Sequence, residues 1–423
     1  MTNLIAATRF HFPAARVGAL ALLAVFSAVG FAQKKADLTR LVVVGDSLSA
    51  GFQNGSLFDV QQPHGYASLV ANQAGMTLTL PLIAAPGLPN VLTLISLGPP
   101  PVILPAPGSS TGRDNPLVQP MNLAVPLQNV QDALTKRPTP AFTTITDVVL
   151  GLPGLLSGIS RSQVEWAENL APTTIFIWIG NNDALSVVFK ADPSVLTPVA
   201  PFKAAYEDVT TRLAATGATL IVANIPDVTA IPFFVSAEKV AALTGPLSVV
   251  GPILGIGPGD FVTADSFPLI LARLADPTLG PLPGDVVLSA AEVVIVRARI
   301  DAFNEIIATQ ARTTGAALVD IHDLLMRIQD KGFVAGGQRL TTDFLGGIFS
   351  LDGVHPTNTG YAIIANAFIK ELNRGFAAGI PPVSVEQIQK VDPLVLSGAE
   401  APASALGHVS TNTLRALRAL ASR

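Results

Sequence analysis

The sequence predicts an α/β protein: a mainly parallel sheet with helices on both faces, interrupted by long apolar insertions. Three observations predict it: short apolar runs that stop at glycine or polar residues, helix-period segments between those runs, and a glycine just past each such segment. The runs are residues 41–45, 175–180, 220–224 and 317–320. They are rich in Val and Ile and do not alternate with polar residues, so they read as strands buried on both faces. Helical periodicity covers 202–215, 290–312 and 359–372, with Gly217, Gly315 and Gly375 as C-terminal stops. In sheets of this kind chemistry gathers at the C-terminal ends of the strands.

Composition narrows the function classes. Of 423 residues, 49% are apolar and 13% charged, against about 25% charged in an ordinary soluble domain, which excludes a disordered chain. Lys and Arg number 26 against 30 Asp and Glu, for a net charge of -4, and no basic block exceeds Lys34-Lys35. A nucleic-acid partner is therefore not expected. The absence of cysteine removes disulfides, thiolate zinc sites, iron–sulfur clusters and cysteine nucleophiles together. No P-loop, EF-hand loop or His-Glu-x-x-His motif occurs, and the glycines at 255, 257 and 259 follow no convincing strand. No cofactor or metal is expected.

At the N-terminus, Arg9 and Arg16 precede an uncharged run over 17–32 that ends in Gly30-Phe31-Ala32. This is the pattern of a signal peptide with cleavage near Ala32, and it predicts an exported protein. The run is short of the roughly 20 residues a spanning helix needs, which makes a retained anchor the lesser alternative. The expected main folded domain covers 33–375. It is interrupted at about 75–118, 140–162 and 231–288, where Pro, Gly and aliphatic residues dominate. Residues 376–423 read as a tail of unknown role. From Val60 to Gly112 there is no Asp, Glu, Lys or Arg, so these insertions are expected to offer a lid-like surface to acyl chains rather than to sugars, or else to cover the edges of the sheet.

Three segments carry residues suited to chemistry. Gly45-Asp46-Ser47-Leu48 follows the first strand, where Ser47 can either point its hydroxyl into a cleft or cap the next helix. Gly180-Asn181-Asn182-Asp183 follows the second predicted strand; an Asn amide there can donate to a developing oxyanion or form an Asx turn. Asp352-Gly353-Val354-His355-Pro356 sets a carboxylate three residues before an imidazole, a spacing that lets Asp352 hold Nδ1–H while Nε2 remains a base. Serine is a poor nucleophile without such a base, so the first and last segments make chemical sense only together. Of the other histidines, His322 reads as a loop residue hydrogen-bonded to backbone, His64 as surface loop or cleft rim, His408 as part of the tail, and His11 as lost with the leader.

These blocks, in this order, resemble those of the GDSL, or SGNH, hydrolases. The resemblance covers about 41–72, 120–130, 165–229 and 290–373. It implies a three-layer α/β/α flavodoxin-like sandwich in which a serine is acylated and water then releases the acid. Carried onto this sequence, it implies Ser47 as nucleophile, His355 as base, Asp352 as its orienter, and an oxyanion hole from the Ser47 N–H and Asn182. A third donor is implied in Asn122-Leu123-Ala124-Val125-Pro126-Leu127, where Leu127 occupies the position usually held by glycine. The function expected is an exported serine esterase or lipase acting on small-molecule or lipid esters, with lipid or membrane-surface contact compatible with its apolar character. Acyl transfer by the same triad and a non-catalytic binding protein on the same scaffold are the alternatives, and oligomeric state is left open.

Overall fold

The computed structural model describes residues 35–97 and 102–395. The expected leader, His11 and His408 lie outside the described residues. Four strands form one parallel sheet: β1 (Leu41–Gly45), β2 (Thr174–Trp178), β3 (Thr219–Ala223) and β4 (Ala317–Val319), in that spatial order. Leu41 lies opposite Thr174, and Ile175 opposite Leu220. Every residue of β1, β2 and β3 is buried, which is the physical reason these runs are apolar without alternation. Segment 121–125 extends the sheet beyond β1. The Val43 N–H donates to the Met121 carbonyl at 3.0 Å, and the Leu123 and Val125 N–H groups donate to Val43 and Gly45 at 2.9 and 3.1 Å. With this segment included, the order becomes the 2-1-3-4-5 of flavodoxin-like sheets, and the topological switch falls between β1 and β2.

Helices cover both faces. Tyr66–Gln73 and Asn358–Phe376 pack together on one; Val130–Thr135, Gln163–Asn169, Val199–Ala215 and Ala290–Thr314 pack on the other. The result is the expected three-layer sandwich. Observed strand ends fall within two residues of those read from the sequence. One stop signal does not act as expected: the helix Asn358–Phe376 runs through Gly375, with Ala377 in the left-handed region at φ 46°. A Cβ at Gly375 would sit 3.4 Å from the Ala317 Cβ, so this residue lies against β4 inside the helix instead of ending it.

The three insertions carry structure of their own. The first contains an antiparallel pair, Leu92–Ser96 with Val102–Pro105; the second contains the helix Ile145–Leu150. In the third, Phe234–Ser236, Phe261–Thr263 and Val287–Leu288 form a small antiparallel sheet flanked by helices. The tail expected from residue 376 also needs correction. Within 377–395, Ile380, Val383, Val385 and Leu394 are buried, and Asp392 accepts hydrogen bonds from the Thr359 N–H and hydroxyl at 2.8 and 2.7 Å. This stretch therefore belongs to the folded domain. Among the described residues no helix is long and apolar enough to cross a membrane.

Candidate active site

Ser47 is held at the end of β1 by a short helix, Ser47–Ala50, whose N-cap is Asp46. The cap geometry turns the chain sharply at Gly45, where a Cβ would come within 2.3 Å of the Ser49 hydroxyl and 2.7 Å of the Trp178 carbonyl; only glycine fits there. Asp46 is fully buried, accepting from the Leu48 N–H at 3.1 Å and from Asn181 Nδ2 at 2.8 Å. Burial pushes its carboxyl up to about 7 against the pull of these hydrogen bonds and of nearby His355.

The Ser47 hydroxyl and His355 Nε2 are 2.8 Å apart, and His355 Nδ1 lies 3.0 Å from Asp352 Oδ2. All three residues are buried, and the Phe52 ring packs on the imidazole with centroids 4.5 Å apart. Asp352 accepts more than the imidazole. Its Oδ1 takes the N–H groups of Val354 and His355 at 2.9 and 2.8 Å, and its Oδ2 takes the Gly55 N–H at 2.7 Å. Burial raises the Asp352 carboxyl, but the His355 charge and these hydrogen bonds outweigh it and hold the carboxyl below the usual carboxylate range. The arrangement can move a proton from a serine hydroxyl to an imidazole whose other nitrogen faces a fixed carboxylate.

Ser47, Leu127, Asn182 and His355 line one narrow cleft, walled by Phe52, Leu185, Val188, Phe189 and Val354. Asn182 enters it because Gly180, at φ 115°, turns β2 directly into the helix Asn181–Leu185. One Asn182 Nδ2 hydrogen is taken by the Gln128 carbonyl at 2.9 Å, which leaves the second for the cleft. Leu127 adopts φ 67°. It therefore keeps the left-handed conformation that glycine would adopt at this place. Among the described residues, neither the Ser47 N–H nor the Leu127 N–H has an internal acceptor.

A buried network fixes the Leu127 loop. Gln163 accepts the Gly45 N–H at 2.9 Å and donates to Gln128 at 2.6 Å, and Gln128 donates to Thr146 at 3.1 Å. Asp183 accepts the Val130 N–H at 3.0 Å. Sequence reading assigned no role to Asp46, Asn181 or Asp183, although all three stand inside the quoted blocks, and nothing local marked Gly55, Gln128 or Gln163. His322 contacts the Ile225 carbonyl through Nδ1 at 3.2 Å, and half-buried His64 is not part of the cleft lining.

Residues 41–368 match the model of the GDSL-like Lipase/Acylhydrolase family. Among solved structures, LAE5, an alpha/beta hydrolase enzyme from the metagenome of Lake Arreo, is 14% identical. The match covers 79% of this chain and 95% of that one, with a TM-score of 0.36. Axe2, an acetylxylan esterase from Geobacillus stearothermophilus, is 13% identical over 78% of this chain and 93% of its own, with a TM-score of 0.35. The esterase EstA from Pseudoalteromonas sp. is 12% identical over 79% and 96%, with a TM-score of 0.34. No curated protein matches the chain by sequence. The family match spans all the blocks around the cleft, and the chain belongs to the GDSL-like lipase/acylhydrolase family.

Proposed function

We propose that the protein is an exported serine carboxylic-ester hydrolase that works through an acyl-enzyme on lipophilic esters. The observation that carries this reading is the unbroken Ser47–His355–Asp352 hydrogen-bond chain at the edge of a cleft. Ser47 attacks the ester carbonyl as His355 Nε2 takes its proton, and the imidazolium is stabilised by Asp352. The oxyanion accepts from the Ser47 and Leu127 N–H groups and from Asn182. His355 then gives its proton to the departing alkoxide, and water deacylates Ser47 with His355 again as base. This chemistry calls for no cofactor. The apolar walls of the cleft support lipophilic substrates, and the N-terminal apolar run supports export, which N-terminal sequencing of the mature protein checks.

Labelling with a fluorophosphonate probe followed by peptide mass spectrometry tests the mechanism. Modification is expected at Ser47 and to be lost in Ser47→Ala and His355→Ala. A folded wild-type chain that resists the probe, or carries the label on another residue, would overturn the proposal.

A further inference from the structure

Beside the reacting residues lies a second cavity, larger than the cleft, with a volume of about 60 Å³. Its two long walls are apolar stripes on neighbouring helices: Ile321, Leu325 and Ile328 on Ile321–Lys331, and Ile363 and Ile364 on Asn358–Phe376. On the first helix the i, i+4, i+7 spacing puts Ile321, Leu325 and Ile328 on one face, and on the second Gly360, Ile363 and Ile364 stand at i, i+3 and i+4, yet space remains between the two. No charged side chain lines the cavity. Its one polar side-chain atom, the Trp178 indole nitrogen, is occupied by the Asn224 carbonyl at 3.1 Å. The walls therefore offer contact to hydrocarbon and nothing to a polar ligand.

The position of the cavity says which hydrocarbon. Leu48 follows Ser47, Pro356 follows His355, and both line the cavity; Val354 lines the cavity and the catalytic cleft alike. Leu48, the neighbour of Ser47, is half-buried. Val354 is thus the wall between the cleft that holds the Ser47 hydroxyl and the cavity. Of the three insertions, only Ile231 contributes to its lining.

We infer that this cavity is the acyl-chain seat, taking the unbranched alkyl tail of a medium-chain ester whose carbonyl sits at Ser47. The inference rests on the reading of Ser47 as the acylated residue. Each methylene removed from water in an apolar seat favours the longer substrate. The wild-type enzyme should therefore prefer octanoyl over acetyl nitrophenyl esters, with Ile328→Phe and Ile364→Phe each lowering the octanoyl-to-acetyl ratio of kcat/KM by roughly tenfold or more. A wild-type preference for acetyl, or ratios within about twofold of wild type in both folded variants, would overturn it.

Binding can be read without catalysis, because Trp178 lines the cavity. In a Ser47→Ala, Trp166→Phe chain, a decanoic acid brominated at its far end should quench the Trp178 fluorescence saturably, and Ile364→Phe should weaken that quenching. No quenching by the brominated acid would overturn the seat whatever the turnover results. Quenching that appears only after removal of 396–423 would assign the cavity to the chain's own C-terminal segment and overturn it equally. A wild-type chain that quenches but takes no fluorophosphonate label places the failure in the reading of Ser47 instead.

Discussion

Asp352 gathers the imidazole and three backbone N–H groups around one carboxylate, and this decides how its substitutions differ. Asp352→Asn keeps an acceptor but cannot stabilise an imidazolium, and kcat should fall on the order of 10⁴-fold in a chain that still folds. Asp352→Ala leaves the N–H groups of Gly55, Val354 and His355 without their acceptor, so it should also lower stability by about 3 kcal/mol or more; urea unfolding of the two variants side by side checks the contrast. Leu127 is the second informative residue. Its left-handed φ costs about 1–2 kcal/mol, close to the 0.5–1 kcal/mol (roughly) that glycine's extra freedom in the unfolded chain would cost. Leu127→Gly should therefore be near neutral in stability and retain hydrolysis. Leu127→Pro, which removes the N–H and cannot adopt positive φ, should lose activity by about 100-fold or more; equal kcat in the two would remove Leu127 from the oxyanion hole. That Ser47, His355 and Asp352 meet, and that Asn182 faces the same cleft, was legible because each lies in a short block whose local chemistry makes sense. The partners that fix them were not, because Gly55 meets Asp352 and Gln163 meets Gly45 only through the fold.

The helix that carries Ser47, the proposed nucleophile, is a single turn, and its cap carries a pH dependence. Asp46 has a folded carboxyl near 7, above its unfolded value. Between about pH 4 and 7 the unfolded chain releases this proton while the folded chain keeps it, so stability contributed here falls as pH rises. Asp352 works in the opposite sense: held below its ordinary value, it stabilises above the usual carboxylate range, and that contribution is lost as pH falls further. Asp46→Ser keeps an acceptor for the Leu48 N–H but cannot ionise, so the decline in unfolding free energy between about pH 4 and 7 should flatten. Urea midpoints measured across that range test this, and an unchanged slope would mean that Asp46 is ionised in the folded protein. At this scale the parallel strands were readable from unbroken burial, which leaves its mark in composition. Segment 121–125 carries no strand signal in the sequence: it is short, is followed by Pro126, and joins the sheet through backbone groups that any sequence has.

Across the whole molecule, the insertions and the C-terminal stretch are held by contacts that bridge distant parts of the chain. Buried Arg113 donates to the carbonyls of Asn115, Val118 and Leu152 at 2.9, 2.6 and 2.6 Å, joining the first two insertions; burial brings its guanidinium down to about 10. Such contacts explain why a low-charge, Pro- and Gly-rich stretch reads as lid or loop in sequence and yet is well packed. Residues 377–395 make the same point at the other end of the chain. Asn366 and Asn373 of the helix Asn358–Phe376 bond the backbone of Val383 and Ile380 in both directions, at 2.9 and 2.7 Å and at 2.8 and 2.8 Å. Asp392 accepts the Thr359 N–H at the helix start, three residues past Pro356 of the segment that holds Asp352 and His355. Four buried aliphatic side chains in this stretch, at about 1.5 kcal/mol or more each, amount to a large share of the roughly 5–15 kcal/mol by which domains are stable. A chain ending at Phe376 should therefore fail to accumulate as soluble, cooperatively melting protein, whereas one ending at Val395 should fold and bind the fluorophosphonate probe. Equal melting curves for the two truncations would show that the stretch is dispensable and return the domain boundary to residue 376.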